Sequence, residues 1–557
     1  MMRGTLDPSG WRVWRSQDEM NDLVERGVWE NRTTWQDAVS KADADPDGVA
    51  IWFDDGSELK YREGVEEARR LAVSLVELGL KKGDVVSANL PNWREMAIIN
   101  LACCALGLVI NPIIPIYRDR EVGFILKDAG TRLLFTPGGM SNFDYPAMGR
   151  QLAEQTPSLE WVVTVRPGEG KPVDQSYSAL VEHGDPGRFE ATEVDPNHIK
   201  LLMYTSGTTG VPKGVLHSHN TLRRSAANSA EARGVGEGDI TLMASPVTHV
   251  TGYSSLEQAF NSPIKTALMS RWDKVAAIDF IERSGATLTV GATPFLKELV
   301  DEAQARGTGL PSLRQFACGG AEVPPQLIGR AHEVLENCRC FRVYGSTEVP
   351  LVTQGFQQVE HAQLAAETDG CIHNYDVRIV DIQGDDVVPG DEGEILARGP
   401  SMFLGYTDWE ETAKAIDEDG YFHTGDLVRA GEQNSILVSG RLKDIIIRGG
   451  ENLSAKEIED VLHRHPAIQE AAVVAMPHPR LGEGVCAWLI LHDGHSAPGA
   501  EELGQFVREQ GLAPQKAPEQ IEIVNDLPRT ASGKIQKNIL RENIREKEKL
   551  TREWITC

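Results

Sequence analysis

Apolar positions along the first 430 residues switch between two periods. Val65, Ala68, Leu71, Ala72, Leu75 and Leu78 fall on one helical face that closes at Gly79. Val85 to Leu90 then reads as a strand and Arg94 to Leu106 as a second helix. The rhythm returns with Thr287 to Gly291 as a strand, Pro294 to Gln304 and Pro324 to Glu336 as helices, and Cys340 to Tyr344 as a strand. Such alternation predicts parallel sheets covered by helices. Ligands in such folds sit at the carboxyl ends of the strands.

A smaller unit begins near Gly440. Ser454-Ala-Lys-Glu457 has the spacing of a capping box opening a short helix. Val473 to Met476, Val485 to Leu491 and Ile521 to Val524 read as strands, and Glu501 to Gln510 as a helix. Lys537 to Glu553 alternates charge densely and predicts a solvated helix. The fold class is therefore multi-domain α/β: a large unit of helix-covered parallel sheets and a small α+β unit. With 557 residues the chain exceeds what one hydrophobic core supports, which agrees with two domains.

Composition adds exclusions. A net charge of −26 argues against nucleic acid as a partner, since that needs a basic face. The most apolar stretch, Ala97 to Tyr117, is broken by Asn100, Asn111, Pro112 and Pro115, so a buried helix entering a core strand is expected rather than a membrane span. The first thirty residues carry no secretory pattern, and no lipidation or peroxisomal signal closes the chain at Ile555-Thr556-Cys557. A cytoplasmic protein with reduced thiols is the expectation. Cys338-Arg-Cys340 lacks a second pair at zinc-like spacing, and His217-Ser-His219 lacks a nearby third ligand. Both read as structural.

The candidate chemistry starts at Tyr204-Thr-Ser-Gly-Thr-Thr-Gly-Val-Pro-Lys213-Gly214, which follows an apolar run. Glycines at 207, 210 and 214 let backbone amides turn toward an anion. Thr205, Ser206, Thr208 and Thr209 add hydroxyls, and Lys213 adds charge. This is not the Gly-x4-Gly-Lys-Ser/Thr loop, because Gly214 follows the lysine. The segment resembles the phosphate-binding signature of the adenylate-forming superfamily, which includes acyl-CoA synthetases, peptide-synthetase adenylation domains and luciferases. Four further segments occur in the order that superfamily requires, and the resemblance spans roughly residues 30 to 540.

In Tyr344-Gly345-Ser346-Thr347-Glu348 the resemblance makes Glu348 the Mg²⁺ residue, a role a carboxylate shares with phosphate oxygens. Thr347 would meet the α-phosphate and Tyr344 the adenine face. In Tyr421-Phe-His-Thr-Gly-Asp426 it makes Asp426 the ribose clamp, whose oxygens can accept from two hydroxyls. In Gly440-Arg441-Leu-Lys443-Asp-Ile-Ile-Ile-Arg448-Gly449-Gly450, Arg441 would contact ribose or phosphate and Lys443 would be the hinge. Arg448, Gly449 and Gly450 would line the path of the CoA thiol. The implied division is 1–439, a hinge at 440–444, and a mobile domain 445–557. In Leu527-Pro-Arg-Thr-Ala-Ser-Gly-Lys534 the lysine would enter the site during adenylation and act as the main catalytic group. A mobile cation there offsets repulsion between a carboxylate and a phosphate.

Two weaker segments complete the expected site. Ala317-Cys318-Gly319-Gly320-Ala321-Glu322 would pass along the adenine and the acyl group. Pro246-Val-Thr-His249-Val250-Thr251-Gly252-Tyr253 resembles the stretch whose histidine gates the acyl pocket. With Gly291 and Ala292 these residues make a mostly neutral pocket, which favours an apolar acid. The resemblance implies ATP, Mg²⁺ and CoA as reactants, a medium-chain, long-chain or alicyclic acid as substrate, and leaves a homodimer open. The rival readings are a ligase loading an aryl or fatty acid onto a separate carrier protein, a luciferase-like oxidase, and a silent acyl-adenylate-binding protein.

Overall fold

The computed structural model describes residues 4–140, 143–168, 174–205, 212–320, 323–449, 451–529 and 535–555. Two seven-stranded sheets form the centre of the larger unit. One has the spatial order Gly405–Tyr406, Lys213–Ser218, Ile199–Thr205, Val109–Pro112, Val85–Ala88, Leu133–Pro137, Trp161–Val165. The other runs Arg339–Val343, Gln315–Gly319, Leu288–Gly291, Ile240–Met243, Lys265–Leu268, Val49–Phe53, Glu58–Lys60. Most neighbours in the second sheet are parallel, as the alternation of periods predicts.

The helix Arg94–Leu106 is buried from Met96 onward, which is why that part of its sequence is apolar apart from Asn100. It stops at Gly107, which takes a left-handed φ of 67° that only glycine adopts without strain. The strand expected to reach Leu90 ends at Ala88, and the predicted helix Pro294 to Gln304 runs Thr293–Arg306.

A four-stranded antiparallel sheet of Asp376–Val380, Glu392–Arg398, Phe422–Ala430 and Ile436–Arg441 follows. Gly440 and Arg441, expected in the connecting stretch, are paired here with Leu427 and Asp426. The single turn Leu442–Asp444 leads from that sheet to Ile445–Arg448, the first strand of a five-stranded sheet. That second sheet also holds Glu451–Ser454, Ile468–His478, Gly482–Leu491 and Gln520–Ile523.

Two expectations in the smaller unit need correction. Ser454 caps the helix Ala455–Leu462, but Glu457 does not complete the capping box; its carboxylate pairs with Lys516 at 2.5 Å. The terminal helix Lys537–Ile555 is not simply solvated. Leu540 and Ile544, four residues apart on one stripe, are fully buried against Val474, Cys486 and Trp488. Ion pairs Lys537–Glu459, Arg541–Asp444 and Lys547–Glu522 add contacts along residues 537–547.

Candidate active site

Four adjacent parallel strands end on one edge of the second sheet. Ile240–Met243 pairs with Leu288–Gly291, that strand with Gln315–Gly319, and that one with Arg339–Val343. Their carboxyl ends lead into His249, Ala292, Gly320 and Tyr344 respectively. Three separate stretches singled out in the sequence thus reach one rim, where an α/β sheet binds ligands.

The phosphate-turn candidate is held at its base by the first sheet, where Thr205 pairs with Lys213 across antiparallel strands. Ser206, Gly207, Thr208, Thr209 and Gly210 lie outside the described residues. Gly214 has a different reason from the expected one. It sits inside a strand, and a Cβ there would lie 2.7 Å from Thr407 and 2.8 Å from Leu202, so close strand packing demands it. Tyr204 donates to Asp128 at 2.6 Å, and Thr407 donates to the same carboxylate at 2.9 Å, fixing the strand end.

Two bridges join this turn to the Tyr344–Glu348 segment. Lys213 Nζ lies 5.0 Å above the Tyr406 ring and pairs with Glu411 at 2.6 Å, while the Tyr406 hydroxyl donates to Glu348 at 3.0 Å. From the strand that begins at Lys213, the buried His217 sends Nε2 to the Thr347 carbonyl at 2.7 Å, with the Thr221 hydroxyl 3.0 Å from Nδ1. Burial lowers the His217 pKa to about 4, so the ring is neutral. Gly345 is tied to a tight fold-back, since a Cβ would meet Leu351 N at 2.4 Å. Ser346 shapes the same turn: its amide donates to the Val349 carbonyl at 3.1 Å.

Asp426 is nearly buried and bonded on both oxygens. The Tyr344 hydroxyl donates to Oδ2 at 2.8 Å, and Arg441 Nε lies 2.9 Å from Oδ1. Burial and Asp426 push the Tyr344 hydroxyl pKa well up. Its ring is largely enclosed by the core around Val215 and Phe403, so the expected adenine contact has only its rim to use. The turn before Asp426 is set by Gly425, whose φ is 70° and whose amide donates to Glu394 at 2.9 Å.

The expected acyl-pocket residues divide. His249 occupies the residue just before the helix Val250–Asn261, with Val250 and Thr251 partly exposed beside it. Gly252 and Tyr253 do not line an opening. A Cβ on Gly252 would lie 2.1 Å from the Pro246 carbonyl, and Tyr253 is fully buried with its hydroxyl on Asn100 at 2.6 Å. Ser254, one turn beyond Val250, shares the partly open face instead. Gly291 backs onto the Phe295 ring, 2.9 Å from where a Cβ would stand. Cys318 is fully buried, with a thiol pKa raised to about 12 by burial. A Cβ on Gly319 would meet the Val343 carbonyl at 2.5 Å, whereas Gly320, with φ 78°, faces open space. Ala321 and Glu322 lie outside the described residues.

Lys443 sits in the turn Leu442–Asp444, two residues past Arg441. Arg448 pairs with Glu519 at 2.6 Å, and the Gly449 amide donates to Leu481 at 2.8 Å with φ 62°. Gly450 and Lys534 lie outside the described residues. The ends of the segment bearing Lys534 are pinned, because Arg529 bridges to Ile535 and pairs with Glu470 at 2.5 Å.

The remaining candidates take ordinary partners. His219 accepts from the Thr34 amide at 3.4 Å, and the buried Cys338 and Cys340 sulfurs lie 3.7 Å apart. Among the described residues no cluster of three or more metal-type ligands occurs, and no helix is long and apolar enough to cross a membrane. Residues that sequence reasoning missed are Tyr406, Glu411, Asp128 and Glu394. Each acts through a partner far along the chain, so no local spacing marks it.

Fold and site together define a protein of the AMP-binding enzyme type. The chain belongs to that family, in the acyl-CoA synthetase branch of the adenylate-forming ligases: residues 39–407 match the AMP-binding enzyme domain and 457–534 its C-terminal domain. It is 32% identical over 528 residues to the medium-chain fatty-acid–CoA ligase of Escherichia coli K12, covering 93% of this chain and 92% of that one. It is 31% identical over 545 residues to the 2,3-dihydroxybenzoate-AMP ligase of Bacillus subtilis 168, covering 97% and 98%. The ATP-bound MatB structure from Rhodopseudomonas palustris superposes with a TM-score of 0.81 at 27% identity, over 92% of this chain and 99% of that one.

Proposed function

We propose that this enzyme joins an apolar carboxylic acid to CoA through an acyl-adenylate. The observation that carries the reading is the cross-linking of distant segments: Lys213 through Tyr406 to Glu348, His217 to Thr347, and Tyr344 and Arg441 to Asp426. One nucleotide could touch all of them. Asp426 would take the ribose hydroxyls, Thr347 and the turn after Thr205 the phosphates, and Arg441 a fixed positive charge beside them. Arg441 is held fully charged by Asp426. Lys213 would exchange Glu411 for a phosphate when ATP arrives.

The residues present fit a magnesium ion: Glu348 is a partly exposed carboxylate oriented by Tyr406. With ATP bound, Glu348 would hold that ion beside the phosphates, where it would supply positive charge against theirs. The acid's carboxylate oxygen attacks the α-phosphorus, and pyrophosphate leaves. Lys534 would steady the charge that shifts between the two anions. The CoA sulfur then attacks the acyl carbon and AMP leaves, with Arg448, Gly449 and Gly450 beside the thiol and Lys443 the pivot between the two steps.

The medium-chain fatty-acid ligase relative and the neutral side chains of Val250, Thr251 and Ala292 support an apolar acid. The near-complete alignment with an aryl-acid AMP ligase supports a second reading, in which the acyl group goes to a carrier protein. A panel of acids scored by pyrophosphate release with and without CoA separates the two. Continuous AMP formation with CoA supports the first; release stalled at one equivalent per enzyme supports the second. Lys534→Ala should abolish acid-dependent ATP–pyrophosphate exchange while sparing thiolysis of supplied acyl-AMP, and equal loss of both half-reactions contradicts its assigned part.

A further inference from the structure

A buried ion pair lies behind the acid-binding rim, and no step above uses it. Lys200 Nζ sits 2.7 Å from Glu257 Oε2, with the two side chains only 2% and 3% exposed. Removing both charges from water costs more than an apolar pair of the same size, so stability alone does not explain it. The partners around it show what it does. Glu257 Oε1 accepts from Asn100 at 2.5 Å, and Oε2 also accepts from the Thr34 hydroxyl. Asn100 in turn accepts from Tyr253, one helical turn before Glu257. The Lys200 ammonium lies 5.5 Å over the Tyr253 ring.

The helix Val250–Asn261 is thereby pinned at two successive turns to three other elements: the helices Thr34–Ala44 and Arg94–Leu106 and the strand Ile199–Thr205. One end of that helix carries His249, Val250 and Thr251. The strand runs straight into the phosphate turn after Thr205. Apolar contacts tolerate sliding, whereas directed bonds to a fixed carboxylate do not. A slip of one residue would shift the helix by about 1.5 Å and turn its open face by about 100°.

We propose that Lys200 and Glu257 are positioning residues that set the register of the acid-binding helix against the ATP-binding strand. This rests on the acid and ATP assignments above. A displacement of about 1 Å at a reacting site costs on the order of 100-fold in rate, so the pair would control how the acid meets the α-phosphate.

The test is the double variant Lys200→Met/Glu257→Leu, which removes both charges together. It should melt within a few degrees of the parent yet exchange the amide hydrogens of residues 249–253 about tenfold faster or more. In acid-dependent pyrophosphate exchange, KM for the acid should rise about tenfold while KM for ATP stays within about twofold. Parental hydrogen exchange at 249–253, or parental KM for the acid, overturns the proposal. If the unaltered protein catalyses no acid-dependent exchange, the ligase reading fails, and the hydrogen-exchange comparison still decides the register claim. Tyr253→Phe, which deletes one bond and no charge, should move the same quantities in the same direction by a smaller factor. Should the double variant not fold, a Tyr253→Phe protein matching the parent in both readouts overturns the proposal.

Discussion

Asp426 offers the sharpest test of the nucleotide assignment. A carboxylate has about four acceptor positions. Tyr344 and Arg441 take one on each oxygen, at 2.8 and 2.9 Å. That leaves one acceptor position per oxygen for two ribose hydroxyls. Asp426→Asn keeps the shape and turns one of those oxygens into a donor. One ribose contact is lost, and the new NH₂ faces either the Arg441 guanidinium or the Tyr344 hydroxyl. A hydrogen bond to a charged group contributes about 1.5–3 kcal/mol, which corresponds to a roughly 10- to 150-fold weaker KM for ATP. ATP–pyrophosphate exchange at saturating acid measures it, and KM for the acid should hold steady. Tyr344→Phe removes one neutral donor and should weaken ATP by no more than about tenfold. A parental KM for ATP in Asp426→Asn would refute the ribose assignment and the sharing of acceptor positions with it.

Other consequences concern stability and acid selection. His217 is neutral when folded, with its pKa lowered from 6.5 to about 4 by burial. Its contribution is whole above pH 6.5 and is lost as pH falls toward 4, where unfolding binds an extra proton; the total is about 3 kcal/mol. A denaturation series from pH 7 to 4 should show a flatter decline for His217→Gln than for the parent, and identical slopes would dismiss the effect. Gly252→Ala should destabilise by about 2 kcal/mol or more, because its Cβ would overlap the Pro246 carbonyl. A stable Gly252→Ala protein with a narrowed range of acids would instead place that glycine on the pocket. Tyr406→Phe frees Glu348 to swing and should raise the magnesium concentration needed for half-maximal exchange by about two- to tenfold; an unchanged magnesium profile argues against an orienting part for Tyr406.

Most of the architecture could be read from periodicity, because its signals are local. The helix Arg94–Leu106 matches its expected span to the residue: an apolar run bounded by Pro91 and Gly107 admits few other solutions. Errors arose where one stretch was read as one surface. Val250 to Tyr253 are consecutive, but each step around a helix turns about 100°, so Gly252 and Tyr253 face inward while Val250 looks out. The terminal helix misled through its charges, which hide the two apolar positions that seat it, Leu540 and Ile544. Links such as Tyr406 to Glu348 or Asp128 to Tyr204 span 58 and 76 residues and depend on the folded path of the chain.

Between the register pair Asp426–Arg441 in one sheet and Ile445–Ser454 in the next stand Leu442, Lys443 and Asp444. Each contributes two soft backbone angles, so reorientation of one body against the other has half a dozen rotations in which to occur. A tether this short behaves as a swivel of small radius rather than a loose leash. On the proposed function, Arg441, paired with Asp426 at 2.9 Å, would stay with the nucleotide while the part beyond Asp444 turned about those three residues.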